Sequence, residues 1–352
     1  MPQPVQVDSY HLSPDRFATM PHVNCGSHGL LLPRISLGLW QNFGDDRSFN
    51  QGRAVVRRAV DLGVTHLDLA NNYGPPPGMA ERNLGRLLRT DFAGHRDELI
   101  ISTKAGYAMW PGPHGSGGSR KHLLASLDQS LKRLGCDYVD IFYSHRADPT
   151  VPLEETLGAL ASAVSSGRAL YVGLSSYSAT RTLQAHNLAS QIGLPLLIHQ
   201  PSYSLFNRWI EQGSPSLLEV VDKLGMGLIA FSPLGQGLLT DKYLNALPPN
   251  SRAAADRTFA KSFLTDQTRR SLHGLHEIAQ QRGQTLAQMA IAWVLKDSRV
   301  SSALIGASRL EQLESNLKAL DNLEFSPAEL AAIEQHSFDA GINIWSASSA
   351  VP

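Results

Sequence analysis

Eight short apolar runs alternate with amphipathic stretches along most of the chain, and this alternation limits the fold more than any other feature. The candidate strands are Arg34–Leu39, His66–Ala70, Leu99–Lys104, Tyr138–His145, Ala169–Ser175, Leu196–Gln200, Gly227–Phe231 and Ala303–Gly306. Each is apolar on both faces, as a strand in a parallel sheet covered by helices must be. Between them lie helical patterns such as Gln51–Leu62, Ala80–Leu88, His122–Leu134, Leu153–Ser166, Thr180–Ile192 and Leu217–Leu224. Eight strand-helix units in one chain predict an α/β fold of the (β/α)8 TIM-barrel type. A doubly wound sheet is the alternative, and it carries a Gly-rich fingerprint after its first strand. Here that turn reads Gly38-Leu39-Trp40-Gln41-Asn42-Phe43-Gly44, which lacks the G-x-G-x-x-G spacing.

The flanks complete this plan. His22 to Leu32 reads as two short strands joined by a Gly-Ser turn, a hairpin that closes the N-terminal end of the barrel. Residues 1–20 are polar and contain no apolar leader core, so they are expected to be a tail, with 21–352 forming one barrel domain. The long segment from Pro233 to Arg270, containing Pro248-Pro249, reads as a lid or clamp on the catalytic face. Past the eighth unit, Ser326-Pro327-Ala328-Glu329 starts an extra helix with Ser as its N-cap, and the chain runs out through Ile342–Ser349.

Charge and cysteine content exclude several function classes. Lys plus Arg equals Asp plus Glu at 31 each, which argues against nucleic acid or an anionic membrane as partner. No apolar run reaches the length of a membrane span. Cys25 and Cys136 fit neither a disulfide framework nor a zinc spacing, and a cytoplasmic protein is expected. No metal site is expected either: His273 and His276 stand three apart on a surface helix without acidic or Cys partners at ligand spacing.

The chemistry gathers at the ends of the strands. Asp68 ends the second strand and Tyr73 follows on the loop Asn71-Asn72-Tyr73-Gly74; Lys104 ends the third strand and His145 the fourth. In a parallel barrel all four face the C-terminal mouth. A lysine closing an apolar strand needs a partner, and Asp68 on the neighbouring strand supplies one. A phenol with an ordinary pKa near 10 is a poor acid unless its anion is stabilised, and an adjacent ammonium does that. The set suits carbonyl reduction, with His145 orienting the carbonyl. Read singly, Asp68 can equally be a turn cap, Lys104 and Asp68 a plain ion pair, and His145 a satisfied core histidine.

In order and position, Asp68, Tyr73, Lys104 and His145 resemble the Asp-Tyr-Lys-His tetrad of the aldo-keto reductase superfamily. The likeness runs from about Cys25 to Ser349. The stretches Asp68–Pro77, Ile101–Gly106 with Trp110-Pro111-Gly112-Pro113, and Tyr171–Ser178 resemble the branch of bacterial L-glyceraldehyde-3-phosphate reductases, itself similar to potassium-channel β subunits. The resemblance implies a (β/α)8 barrel, NADPH bound in extended form, and hydride transfer to small aldehydes, methylglyoxal among them. It also implies a homo-oligomer, a tetramer or larger. By the same likeness Trp40 and Asp68 match positions near the nicotinamide, Ser175 and Gln200 its carboxamide contacts, and Phe231 the ring that stacks on it. Ser232, Leu234, Gln236 and Lys242 match the pyrophosphate belt, and Arg252 a clamp loop. Gly306, Ser308, Gln312 and Asn316 match the adenosine side, where a helix N-terminus suits the 2′-phosphate.

Two other functions compete with the reductase reading. One is a regulatory subunit that binds NADPH with little turnover; the channel subunits carry Asn where His145 stands, which favours the enzyme. The other is a Schiff-base lyase using Lys104, which leaves Tyr73 without a role. The Gly106–Gly118 loop leads into Ser119-Arg120-Lys121 at the start of the third helix. There Arg120, Lys121 and Arg146 are candidate contacts for a substrate phosphate, against the plainer expectation of an N-cap on a solvated basic turn.

Overall fold

Strands that alternate inward and outward side chains, each followed by a helix, have one compact solution when the last strand can pair with the first. The computed structural model describes residues 10–244 and 261–351 and adopts that solution. A hairpin of β1 (His22–Asn24) and β2 (Leu31–Pro33) precedes the barrel strands. These are β3 (Ile35–Gly38), β4 (His66–Asp68), β5 (Ile100–Ala105), β6 (Val139–Ser144), β7 (Ala169–Ser175), β8 (Leu196–Gln200), β9 (Gly227–Phe231) and β10 (Ser302–Ile305). All pair in parallel in chain order, and β10 closes on β3 through Ala303 opposite Ile35. The outer layer contains α1 (Phe49–Asp61), α2 (Met79–Thr90), α3 (Arg120–Leu134), α4 (Leu153–Ser165), α5 (Ala179–Gln191) and α6 (Leu217–Lys223). It continues with α7 (Asp266–Gln281), α8 (Leu286–Leu295), α9 (Leu310–Leu317), α10 (Pro327–Glu334) and α11 (Ser346–Ser349).

The expected strands are present, three with the expected ends and the rest with ends shifted by a residue or two. β4 stops at Asp68 rather than Ala70, yet Leu69 still donates to the Ser102 carbonyl and Asn71 to that of Lys104, both at 2.9 Å. That bonding holds the loop bearing Tyr73 to β5 as it leaves the sheet. Among the described residues between β9 and β10 stand two α-helices, α7 and α8, where simple alternation expects one. Pro248-Pro249 lies outside the described residues. Ser326 caps α10 reciprocally with Glu329, as its sequence predicts.

Two cores result from the alternation. Ile100, Ile141, Tyr143, Ile198, Ile229 and Leu304 fill the barrel interior, with Cys25 and Leu32 of the hairpin plugging its lower end. Gly173 makes room for this packing, since a Cβ there would fall 2.6 Å from the Tyr143 ring. Gly26 turns the hairpin at φ +59° against the Gly225 carbonyl, where only glycine fits. Outward-facing residues such as Leu67, Ile101 and Val172 pack on Val56, Leu84, Leu127 and Leu160 of the helices. Residues 10–20 dock on this layer: the Tyr10 hydroxyl donates to Asp61 at 2.8 Å, and Arg16 pairs with Glu98. Among the described residues no helix is long and apolar enough to cross a membrane.

Four histidines are buried in the folded chain, and burial favours the neutral form of each, most strongly in His66, His145 and His199. Burial lowers His66 to about 4 and His199 to about 3, and it pushes His145 well below the ordinary value. Each binds a proton in the unfolded chain from about pH 6.5 downward but stays neutral when folded. Their contribution is therefore intact above that pH and lost as pH falls toward the folded values. The slope is up to about 1.4 kcal/mol per pH unit for each histidine. Urea unfolding at pH 7, 6 and 5 should show a steady drop in stability, and a constant midpoint across that range would contradict it.

Candidate active site

The period-two rule of a strand aims His66 and Asp68 of β4, and Ser102 and Lys104 of β5, into the barrel. Lys104 has no exposed surface, so its charge must be met inside the protein. Its Nζ donates to Asp68 Oδ2 at 2.5 Å and to the Leu69 carbonyl at 2.7 Å. Asp68 Oδ1 accepts from the Ser102 hydroxyl at 2.7 Å and from Gln200 Nε2 at 3.1 Å. Gln200 ends β8, so the pair is gripped from both sides of the barrel.

Tyr73 sits on the loop beyond β4. Its carbonyl accepts from Gly78 at 3.0 Å and from Ala80 at 3.2 Å, which fixes the loop onto the start of α2. Lys104 Nζ lies 5.3 Å from the Tyr73 ring centre, and the ring of His145 stands 6.0 Å away at a steep angle. His145 is held by its own amide donating to Ala105 and by the edge of Tyr107 at 4.7 Å. Burial, then the charges of Lys104 and Arg146, keep its imidazole neutral.

The phenol departs from the sequence expectation. Enclosure first, then the negative charge of Asp68 and the neighbouring Tyr107, raise Tyr73 well above 10. The ammonium does not pull it down because Asp68 neutralises that charge at contact distance. Enclosure thus favours the protonated phenol over the phenolate.

Above these groups opens an elongated cavity of about 530 Å³. One end is walled by Trp40, Tyr73, Tyr107, His145, Phe231 and Trp345; the other reaches Gly306, Ser308, Arg309 and Gln312 where β10 enters α9. Of the residues singled out in sequence, Asp68, Ser175, Gln200, Ser232, Leu234, Gln236 and Lys242 also line it. Lys104 lies behind Asp68 rather than on the wall. Asn316 is buried in α9 and is not part of the lining, and Arg252 lies outside the described residues.

A model of the Aldo/keto reductase family matches residues 34–337. The chain belongs to the aldo/keto reductase family. It is an oxidoreductase. An L-glyceraldehyde 3-phosphate reductase of Escherichia coli is 60% identical over 341 residues, 96% of this chain and 98% of that protein. Proteins named "Probable voltage-gated potassium channel subunit beta" are more distant. That of Oryza sativa is 37% identical over 308 residues, covering 86% of this chain and 92% of its own length. That of Arabidopsis thaliana is 36% identical over 323 residues, covering 90% and 96%.

Aldo/keto reductases generally use a nicotinamide cofactor, and the residues here fit an extended one. The cavity runs from the phenol to a helix N-terminus, with open space where a Cβ on Gly306 would point. The Ser175 hydroxyl donates to the Gln200 carbonyl at 2.9 Å, leaving its oxygen to accept from a carboxamide. At the far end the Ser308 amide and hydroxyl both donate to Gln312 Oε1, at 3.0 and 3.1 Å. These are donors that a phosphate can take over once the Gln312 side chain turns aside.

Spatial neighbours account for what sequence reasoning missed in this aldo/keto reductase. Tyr107 stands two residues past β5 and could have been found by the same strand-end rule as Lys104. Trp345 comes from the C-terminal segment and packs its edge on Phe231 at 4.6 Å, which no local pattern announces. Gln51 of α1 reaches across to donate to the Ser308 carbonyl at 2.8 Å. Arg120, a candidate phosphate contact, is turned elsewhere, in keeping with the plainer expectation of a helix cap at Ser119. Ser119 caps α3, the Arg120 amide donates to Glu155, and its guanidinium donates to Ser162 on α4, away from the cavity. Arg146 is turned onto Tyr107, with Nε donating to the Gly106 carbonyl at 3.0 Å. His276 has an acidic neighbour that spacing did not reveal, Asp241 at 3.2 Å.

Proposed function

We propose that the chain reduces small aldehydes with NADPH, L-glyceraldehyde 3-phosphate foremost and methylglyoxal as a further small carbonyl, with Tyr73 as the general acid. The observation that supports this most is the Tyr73 phenol on the cavity wall, its ring 5.3 Å from the Lys104 ammonium that is paired with Asp68 and 6.0 Å from the ring of buried His145. The similarity to the Escherichia coli reductase supports the choice of substrate.

When bound, the cofactor supplies a hydride to the carbonyl carbon. The protein supplies everything at the oxygen. His145, held neutral, has one N–H to direct at the carbonyl and no charge to compete for the proton. Tyr73 gives its proton to the oxygen as negative charge develops there. The phenolate left behind is then met by Lys104, whose ammonium is already fixed by Asp68 and the Leu69 carbonyl. Trp40, Tyr107, Phe231 and Trp345 wall the reacting end with rings and keep water from the transferred charge.

Tyr73→Phe should remove aldehyde reduction almost completely while leaving NADPH binding close to wild type, because the hydroxyl acts only in the transition state. Loss of NADPH absorbance with glyceraldehyde 3-phosphate, alongside a binding titration, checks both halves. Near-normal turnover by the variant would remove Tyr73 from the role of acid.

Cofactor choice depends on the other end of the cavity. Ser308, Gln312 and Arg309 surround the α9 N-terminus, and charge-assisted contacts there are worth roughly 1.5–3 kcal/mol. The Michaelis constant for NADPH should accordingly be about 10- to 100-fold below that for NADH. Equal constants would contradict the assignment of the 2′-phosphate to this turn.

A further inference from the structure

A chain of polar groups that the reaction above does not use crosses the barrel interior below the mouth. Ser302 of β10, Ser36 of β3, His66 of β4 and Ser102 of β5 are all fully buried. Ser302 Oγ is 2.7 Å from Ser36 Oγ, and Ser36 Oγ is 2.9 Å from His66 Nδ1. His66 Nε2 is 2.9 Å from Ser102 Oγ, which is 2.7 Å from Asp68 Oδ1. Four polar side chains amid Ile100, Ile229 and Leu304 would be a heavy burden on an apolar core unless every proton had a partner.

The direction of each bond follows from the carboxylate end. Asp68 is paired with Lys104 and only accepts, so Ser102 must donate to it. A hydroxyl has one proton, so toward His66 the Ser102 oxygen can only accept, and Nε2 must carry the imidazole proton. The charged groups facing His66 are Asp68 on its own strand and Lys104 on β5; burial, aided by the Lys104 charge, outweighs Asp68 and keeps the ring neutral. Nδ1 is therefore an acceptor, Ser36 donates to it, and Ser302 donates to Ser36. All four bonds point the same way and end on the carboxylate that holds Lys104.

We propose that His66 is a positioning residue for this reductase. By fixing the Ser102 hydroxyl as a donor to Asp68, it holds that carboxylate in register with Lys104 behind Tyr73. The proposal rests on the tetrad reading given above. It differs from a merely well-packed histidine in requiring one tautomer and in acting on turnover rather than on binding.

Two measurements on purified protein test it. Long-range proton-nitrogen NMR of the labelled wild type at neutral pH, with His66→Gln to assign the signals, should show His66 neutral with its proton on Nε2. A proton on Nδ1, or on both nitrogens, would overturn the proposal whether or not the protein turns over aldehyde. In steady-state assays His66→Leu should lower kcat about 10-fold or more, the size expected when a hydrogen bond on a charged group is lost. The aldehyde KM and the NADPH Kd should stay near wild type. His66→Gln, whose amide can still donate toward Ser102, should recover most of the rate. Ser102→Ala should resemble His66→Leu, and the double variant should be no worse than either alone. Equal losses in the Leu and Gln variants, or additive losses in the double, contradict a relay; should the Leu variant not fold, the tautomer and the His66→Gln and Ser102→Ala rates still decide. A wild type without turnover sinks the reductase reading instead, and the tautomer then judges the relay by itself.

Discussion

An ammonium and a carboxylate 2.5 Å apart, both shut off from solvent, set the conditions for everything at the mouth of this barrel. Neither charge could persist there alone, and removing one partner of such a pair typically costs about 3–5 kcal/mol. The pair is tolerable because β4, β5 and β8 bring the Leu69 carbonyl, Ser102 and Gln200 to the remaining positions around it. Its net neutrality also decides the state of Tyr73. With the ammonium compensated, enclosure dominates and the phenol keeps its proton. In the proposed reaction the same ammonium meets the negative charge that forms on the phenol oxygen, so one arrangement serves both the acid and what the acid leaves behind.

The barrel makes this arrangement possible by geometry alone. Parallel strands end together, so residues far apart in the chain share one rim, and the loops beyond carry the groups that meet small molecules. An aromatic wall encloses the reacting end, whereas the opposite end is a polar helix entry bearing Ser308, Arg309 and Gln312. That division suits the extended cofactor proposed above.

Much of this was legible in the sequence because the signals are local. Short runs apolar on both faces gave the eight strands, and strand-end position gave Asp68, Lys104 and His145 their common rim. The helix caps at Ser119 and Ser326 were equally readable. What escaped depends on distances that no pattern carries. Arg120 stood as a candidate phosphate contact beside the plainer N-cap reading, and sequence could not decide between them; α4 lies close enough to take its guanidinium through Ser162. Lys104 was expected to lower the phenol, but its effect depends on how closely Asp68 cancels it. Trp345 reaches the cavity from the far end of the chain, and its partner Phe231 is more than a hundred residues away. His66 reads in sequence as one more residue of a buried strand; its place in a directed chain appears only when three other strands are alongside.

The central claim is that Tyr73 rests as a protonated phenol beside a neutralised lysine. Ultraviolet difference titration of the wild type against Tyr73→Phe tests it most directly, since the subtraction isolates one phenol. No tyrosinate signal belonging to Tyr73 should develop below about pH 10, the ordinary phenol value. Ionisation near neutral pH would contradict the account: it would mean that the Lys104 charge is not cancelled by Asp68, and that the resting site holds a base where the chemistry needs an acid.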